Sequence, residues 1–468
     1  MKLGKYIGDK AFYRSVLTIA VPIMIQNGIT NFVSLLDNLM VGSIGTEAMS
    51  GISIVNQFVF IFYLLGFGAL SAAGIFGAQF YGKGDTDGIR YCFRFKLMIS
   101  VLIGLIGIAV FLLFDDELIR LFLHESESSA GIDLELTLSY GKEYLKITLI
   151  GLVPYVISQA FASTMRETGS TVVPMMASVA AVLTNLLFNT LLIFGYLGFP
   201  ALGVAGAAIA TVISRFVELA IILIYAYTHT KKYAYLVGAL RSFRIPKKLL
   251  SGIVIKGLPI IANEFFWSLA MTLRNQTYST RGLDVVAAMN IHTTLFNLCN
   301  VVYLSLGTAV SVIIGSLLGA GRIEEAKDQD RKMLAFAVML ATAMMGIYIG
   351  ISFIYPSLYN TTNEVRELAR YMMIVAAVTM PLLAFNHSTY FTIRAGGRTV
   401  TTVILDAGFM WAIVMPVCLI IAHLTSLNIY IMFAICQGLE VIKTIVGALL
   451  LKYGKWANQL VCDEELTA

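Results

Sequence analysis

Residues 52–81 read ISIVNQFVFIFYLLGFGALSAAGIFGAQFY and contain no charged side chain. The hydrocarbon core of a bilayer is about 30 Å thick, so a helix that crosses it needs about 20 mostly apolar residues. The strands of a membrane barrel span only about 10 residues with alternating polarity, so they do not produce a run of this length. The stretch therefore predicts a membrane-spanning helix.

The same pattern recurs along the whole chain. Of 468 residues, 58% are apolar and only 13% are charged, against about 25% charged in an ordinary soluble domain. This composition excludes a soluble enzyme, a disordered chain and a disulfide framework, and the five cysteines form no Cys-x-x-Cys zinc or redox motif. We predict an all-α integral membrane protein with twelve transmembrane helices near residues 14–40, 52–81, 91–114, 140–163, 172–195, 201–227, 250–277, 286–318, 333–355, 368–392, 400–422 and 427–451.

Basic residues are distributed unevenly over the connecting segments. If the amino terminus is cytoplasmic, most of the 33 basic residues fall in inside segments, whereas loops 41–51, 196–200 and 423–427 contain no Lys or Arg. This asymmetry predicts a multi-pass protein of the plasma (cytoplasmic) membrane with both termini in the cytoplasm. The basic loops are short and separated by spans, so anionic membrane lipids are the expected partner and nucleic acid is not.

The two halves of the chain resemble each other. A shift of 237 residues aligns seventy-odd positions without a gap, and a shift of 228 aligns a later block; the aligned pairs include Pro22 with Pro259, Asn38 with Asn275, Gly82 with Gly319 and Arg166 with Arg394. Because six helices separate equivalent positions, the repeat is parallel, with a pseudo-two-fold axis along the membrane normal. We predict one six-helix bundle at 1–228, a basic cytoplasmic linker at 229–249, and a second bundle with a short tail at 250–468.

Several stretches carry a family resemblance: LTIAVPIMIQ at 17–26, LLDNLMVGSIGTEAMSGISI at 35–54, GAQFYGKGD at 77–85, MRETGST at 165–171, NLLFNTLLIFGYLGFPALGVAGAAIATVIS at 185–214 and IRAGGRT at 393–399. With these stretches together and in this order, the chain resembles the multidrug and toxic compound extrusion (MATE) family. The resemblance implies a V-shaped, twelve-helix antiporter that exports organic, often cationic, drugs or metabolites in exchange for protons or sodium ions.

Asp37 is the first candidate for ion coupling, because a carboxylate within a membrane is costly unless it is paired, hydrated or neutralised. The resemblance implies that an Asp at this position couples transport to an ion, with Asn185, Asn189 and Thr211 as its partners. Some relatives carry Asp where Asn189 stands, so this site has one carboxylate fewer. Sodium at Asp37 and a proton both remain open, and no other metal site is predicted.

Glu264 in helix 7 is the second intramembrane acid. Sodium-coupled relatives combine a Glu here with an Asp in helix 10, where this chain has Leu383 instead. Glu264 is therefore expected to bind a proton or to attract a cationic substrate, and the alternative is a neutral, packed side chain. His387 lies near the missing Asp and can titrate near neutral pH, although a hydrogen-bonding role is the alternative.

Other membrane charges are candidate partners. Arg274 is the repeat equivalent of Asp37, and it either pairs with an acid such as Asp37 or extends to the outer surface. For Asp406 in helix 11, a functional role and a structural role are equally expected. Two pairs at i,i+3 spacing are expected to neutralise each other on their own helices: Arg215 with Glu218, and Glu440 with Lys443.

The predicted function is secondary antiport by alternating access, with helix 1 bending at Pro22, where proline removes a backbone hydrogen bond. A lipid-linked oligosaccharide flippase is the alternative. The chain lacks the Walker A, H-E-x-x-H and G-x-S-x-G motifs, so we expect neither an enzyme nor a cofactor, and transport must draw on an ion gradient or the membrane potential. The expected partners are small organic cations and membrane lipids, and the expected state is a monomer.

Overall fold

The computed structural model describes residues 3–120 and 133–462. Within these residues, twelve helices are long and apolar enough to cross a membrane, which confirms the predicted all-α fold with twelve spans. They are α1 (Lys10–Gly42), α2 (Thr46–Lys83), α3 (Thr86–Leu113), α4 (Leu134–Glu167), α5 (Val172–Phe194), α6 (Gly203–Thr228), α7 (Lys247–Ser279), α8 (Asp284–Gly319), α9 (Ile323–Ser352), α10 (Asn363–Ala395), α11 (Thr399–Leu424) and α12 (Ile429–Tyr453).

Helix α4 begins earlier than the hydropathy pattern indicates. The Asp133 carboxylate accepts hydrogen bonds from Glu135 N and Leu136 N, both at 3.0 Å, and so satisfies two free donors of the first turn. Capping therefore extends the helix by about one and a half turns beyond the apolar run.

Helix α11 is irregular at its centre. Two π-helical turns, Ile404–Gly408 and Met410–Val414, replace ordinary α-helical turns. Such widened turns are rare and occur frequently at functional sites. The first of them contains Asp406.

Contacts divide the chain into two compact units. The amino-terminal unit comprises residues 25–77 and 86–250, and the carboxy-terminal unit comprises residues 1–24, 78–85 and 251–468. The first part of α1 thus packs with the second half of the chain: Phe12, Val16 and Ala20 are buried in one core with Tyr303 and Leu306 of α8. The predicted division into bundles at 1–228 and 250–468 stays a prediction.

The segment after α6 is folded onto its own unit. Tyr233 and Tyr235 are buried. The guanidinium of Arg94 in α3 donates to Ala239 O at 2.8 Å and to Gly238 O at 3.0 Å. The basic segment 229–249 is therefore anchored by side chains of the amino-terminal unit.

Candidate functional site

The carboxylate of Asp37 in α1 faces two asparagine amides of α5. Asn189 Nδ2 donates to Asp37 Oδ1 at 2.7 Å. With its amide nitrogen turned towards α1, Asn185 donates to Asp37 Oδ2 at 2.9 Å, and its oxygen then accepts from Thr211 N in α6 at 3.3 Å. The structure thus brings together all four residues that the sequence analysis grouped around Asp37.

Helical spacing explains this convergence. Asn185 and Asn189 are four residues apart, so they lie on the same face of α5, one turn from each other. Both are buried. Asn189 Oδ1 is a buried acceptor that finds no hydrogen-bond donor in the described part of the chain. An acceptor of this kind beside a carboxylate is suited to a cation or a hydrogen-bond donor.

Two residues near Asp37 were missed by the sequence analysis. Tyr144 of α4 lies beside Thr211. Arg215 places its positive charge within range of Asp37. The predicted ion pair of Arg215 with Glu218 is confirmed, at 3.3 Å. The position of Arg215, one helical turn after Thr211, is the signal that could have linked it to Asp37.

The guanidinium of Arg215 lies over two aromatic rings. Its central carbon is 4.8 Å from the ring centroid of Tyr155 and 5.8 Å from that of Tyr63. The two rings are themselves 4.0 Å apart between centroids. Electron-rich faces at such distances attract cations, so this part of the amino-terminal unit is suited to holding a flat, positively charged group.

Glu264 belongs to a separate polar network in the carboxy-terminal unit. Tyr390 of α10 donates to Glu264 Oε1 at 3.1 Å. The same phenolic oxygen accepts from Arg394 Nη1 and from Asn263 Nδ2, both at 3.4 Å. Tyr390 therefore connects Glu264 to a cation and to a buried amide.

Asp406 is held between α7 and α12. Lys443 Nζ donates to Asp406 Oδ1 at 2.7 Å, and Asn263 Nδ2 donates to Oδ2 at 3.0 Å. Asn263 Oδ1 also accepts from Ala407 N at 3.1 Å, so this side chain caps a backbone donor within the first π-helical turn. The Asn263 amide thus contacts both the first π-helical turn and the Asp406–Lys443 ion pair.

The predicted pairing of Lys443 with Glu440 is wrong. Lys443 crosses to α11 and pairs with Asp406, and Glu440 Oε2 accepts from Asn386 Nδ2 of α10 at 2.8 Å. The two residues lie on one helix at i,i+3, but the stronger interaction is across helices, because Asp406 is otherwise an uncompensated buried charge.

His387 and Arg274 take different positions in the carboxy-terminal unit. His387 has Lys443, Asp406 and Glu440 as charged neighbours, so it lies beside the network. The guanidinium carbon of Arg274 is 5.9 Å from the ring centroid of Tyr278, and no carboxylate described in this unit comes within 4.0 Å of it. A partnership of Arg274 with Asp37 stays a prediction.

Pro22 lies inside α1, which continues through it as one helix from Lys10 to Gly42. The division of α1 between the two units follows two residues later, between Met24 and Ile25. A bend at Pro22 stays a prediction.

Comparison with known proteins identifies the family of this chain. The family model MatE matches residues 22–191 and 259–420, one match in each half of the chain. The chain belongs to the MatE family. Both matches begin at the proline of an equivalent helix, Pro22 and Pro259.

Curated relatives of this MatE-family chain share its length. The probable multidrug resistance protein NorM of Thermotoga maritima is 24% identical over 461 residues, which cover 97% of this chain and 95% of the relative. The multidrug resistance protein MdtK of Yersinia pestis is 26% identical over 384 residues, which cover 80% and 79%. Both relatives are named as multidrug resistance proteins, and neither name supports the flippase alternative.

Solved structures share the fold. One described as the outward-facing conformation of a multidrug resistance MATE family transporter superposes with a TM-score of 0.84 at 20% identity and covers 97% of this chain and 99% of that one. A MATE in complex with MaL6 gives a TM-score of 0.83 at 21% identity, with coverage of 97% and 98%. The chain is therefore a multi-pass membrane protein with the MATE transporter fold.

Proposed function

We propose that this chain is a secondary antiporter that exports organic, cationic drugs or metabolites in exchange for protons or sodium ions. The observation that carries the proposal is the arrangement at Asp37: one carboxylate from α1 contacts two neutral side-chain amides of α5, and one of these amides also contacts Thr211 of α6. The resistance functions in the names of the relatives support an export role.

The charge at Asp37 matches a monovalent ion. The carboxylate contributes a single negative charge, while Asn185, Asn189 and Thr211 contribute none. One proton or one sodium ion therefore neutralises the carboxylate, because the nearby charge of Arg215 is already paired with Glu218. The orphaned oxygen of Asn189 supplies an additional ligand to a sodium ion, or an acceptor for a protonated carboxyl group.

Ion binding then acts on α1. Neutralising Asp37 weakens its charge-assisted hydrogen bonds to the α5 amides, which loosens the outer half of α1. The missing backbone hydrogen bond at Pro22 lets the helix bend there at low cost. Bending of α1 changes the substrate cavity and releases the substrate. Loss of the ion on the opposite side of the membrane then returns α1 to its unbent form.

The substrate interacts with the aromatic pair Tyr63 and Tyr155. These rings already face the guanidinium of Arg215. A flat organic cation makes the same kind of interaction, so substrate and Arg215 compete for the same ring faces. This competition accounts for a preference for aromatic or delocalised cations.

The remaining features of the proposal concern orientation, oligomeric state and motion. Both termini lie in the cytoplasm, and the protein acts as a monomer in the plasma membrane. The bundles 1–228 and 250–468 move as bodies joined by segment 229–249.

Glu264 is expected to contribute less than Asp37. The change Glu264→Gln keeps an oxygen that accepts from Tyr390, so the network persists while the charge is lost. We expect a fall in ion-driven efflux of roughly 2- to 10-fold, in the range of one weakened interaction of about 0.5–1.5 kcal/mol. Initial efflux rates of reconstituted protein measure this, and complete loss of efflux would place Glu264 at the centre of coupling.

The proposed function is tested with purified protein in proteoliposomes. Efflux of a fluorescent organic cation is followed under an imposed proton gradient and, separately, under an imposed sodium gradient, with ionophore-treated vesicles as the control. We expect one of the two ion gradients to drive transport of the organic cation, and we expect collapse of that gradient to abolish the transport. Equal, downhill movement under every condition would contradict antiport.

A further inference from the structure

The segment that joins α6 to α7, residues 229–249, is bonded to the amino-terminal unit at several points. Tyr233 is buried, and its hydroxyl shares a hydrogen bond with Ser170 Oγ at 2.7 Å. Arg94 Nη1 donates to Arg244 O at 3.2 Å, in addition to the two backbone bonds of its guanidinium described above. The segment therefore has a defined conformation before it meets any partner.

Three apolar side chains of this anchored segment remain exposed. Val237, Leu240 and Phe243 are 58%, 54% and 53% exposed, although neighbouring residues of the segment are buried. We call these three residues the apolar triad. Apolar side chains that are exposed together and surrounded by polar residues mark a surface that contacts a membrane or another molecule.

Basic side chains surround the apolar triad. Arg241 and Arg244 directly follow Leu240 and Phe243 in the chain. The segment contains six Lys or Arg residues and no Asp or Glu. All six basic residues are exposed: Lys231, Lys232, Arg241, Arg244, Lys247 and Lys248. Apolar and basic side chains on one element, without acidic ones, are typical of a surface that lies on an anionic bilayer.

The exposed apolar surface of α6 leads directly into this segment. Ile224 and Tyr227, in the last turns of α6, are 66% and 46% exposed. Tyrosine is enriched where a spanning helix leaves the hydrocarbon core. Helix α6 ends at Thr228, three residues before Lys231. The basic residues therefore begin at the level of the lipid headgroups.

We propose that segment 229–249 is a docking surface for anionic phospholipids of the leaflet at which α6 ends. The apolar triad enters the boundary between headgroups and acyl chains, and the six basic side chains bind lipid phosphates. An acidic protein would match the charge as well, but lipid is already present at the end of α6 and also accommodates the triad. The inference goes beyond the proposed antiport and holds whichever ion drives transport.

A local fluorescent probe tests whether the apolar triad lies in the lipid. Leu240→Cys in a Cys462→Ser background is labelled with bimane, and the Cys462→Ser parent measures the signal from the other cysteines. The full chain is placed in nanodiscs of phosphatidylcholine alone or mixed with phosphatidylglycerol. Both contain a phosphatidylcholine whose nitroxide lies just below the headgroups and quenches nearby bimane.

We expect bimane at position 240 to be quenched more strongly in the mixed nanodiscs than in phosphatidylcholine alone, and high salt to remove the difference. Glu324→Cys is the matched control. Its side chain is 86% exposed, and it lies nine residues, about 13 Å, before the apolar run that begins at residue 333. A probe at position 240 that is quenched no more than the control in either lipid would overturn the proposal and leave the surface to a protein partner.

The charge requirement is tested in the same labelled protein. Arg241→Gln combined with Arg244→Gln keeps the anchor, because Arg94 binds the backbone oxygen at position 244. Each basic residue near an anionic surface favours binding about fivefold, so the ratio of docked to undocked segment should fall about 25-fold. Lys327→Gln with Arg331→Gln removes two exposed charges from α9 and should change nothing. Equal quenching in the two double variants would contradict the assigned lipid contacts.

Hydrogen exchange tests the surface without a label. In the unmodified chain, backbone amides of residues 237–244 should exchange at least about twofold more slowly in the mixed nanodiscs, because docking excludes water from this stretch. Amides of residues 323–330 should exchange equally in both lipids. Equal exchange of residues 237–244 in the two lipids would overturn the docking surface, whereas failure of the antiport proposal alone would leave these results intact.

Discussion

Replacing Asp37 by asparagine is expected to reduce ion-driven efflux strongly while the protein remains folded. The new amide can still accept a hydrogen bond from Asn189 Nδ2, so the contact of α1 with α5 persists. What is lost is the negative charge that an ion neutralises. Coupling free energies between two ligands are typically about 1–3 kcal/mol, so driven efflux should fall roughly 5- to 150-fold.

Asp284→Asn provides the matched control for this prediction. Asp284 lies exposed in the first turn of α8, so the same chemical change occurs there outside the proposed site. Substrate binding measured in detergent should persist in Asp37→Asn, because the charge removed belongs to the ion site. Full ion-driven efflux in Asp37→Asn, at equal protein per vesicle, would rule out Asp37 as the coupling group.

Lys443→Met is expected to cause the largest loss of stability. Within the described part of the chain, the substitution leaves the interior Asp406 carboxylate with the Asn263 amide as its one hydrogen-bond donor. Removing one partner of a buried ion pair costs about 3–5 kcal/mol in free energy of unfolding. Thermal unfolding in detergent, followed by tryptophan fluorescence and size-exclusion chromatography, measures the change.

Two further variants make this prediction specific. Asp406→Asn combined with Lys443→Met removes both charges and should restore most of the lost stability. Lys332→Met breaks a partly exposed pair with Asp328, 2.6 Å apart, and should cost about 1 kcal/mol or less. If Lys443→Met is no less stable than Lys332→Met, the Asp406–Lys443 contact is not a buried ion pair.

The spans could be predicted because each depends on local composition. Long runs without charge, such as 52–81, admit only one kind of membrane element. The grouping of Asp37 with Asn185, Asn189 and Thr211 came from motif positions in the resemblance. The spacing of the two asparagines then explains why both reach one carboxylate.

Contacts across helices could not be predicted from sequence in the same way. Glu440 was the expected partner of Lys443 because spacing within one helix can be read directly, whereas the helix that α12 faces cannot. The insertion of Asn263 into a π-helical turn depends on that same packing. The end of the chain was predicted only as a short tail, yet Trp456 and Val461 are buried.

The repeat alignment identified Gly82 and Gly319 as equivalent positions without indicating their contact. Equivalence under an internal repeat says that two residues have similar surroundings. It does not say that they touch, which requires that both lie close to the symmetry axis. The structure supplies that information, because a Cβ atom on Gly82 would lie 1.8 Å from Ser316 O and one on Gly319 would lie 1.8 Å from Gln79 O.

We propose that binding of substrate displaces the ion held at Asp37, and ion release on substrate binding tests this most directly. Purified protein in weakly buffered detergent solution is loaded with a fluorescent organic cation while a pH indicator follows protons, and a parallel sample preloaded with radioactive sodium follows sodium. We predict that substrate releases about one ion per protein, a proton or a sodium ion, and that Asp37→Asn binds substrate without releasing it. Equal ion release from Asp37→Asn, or substrate binding to the unmodified protein with no ion released, would contradict the account.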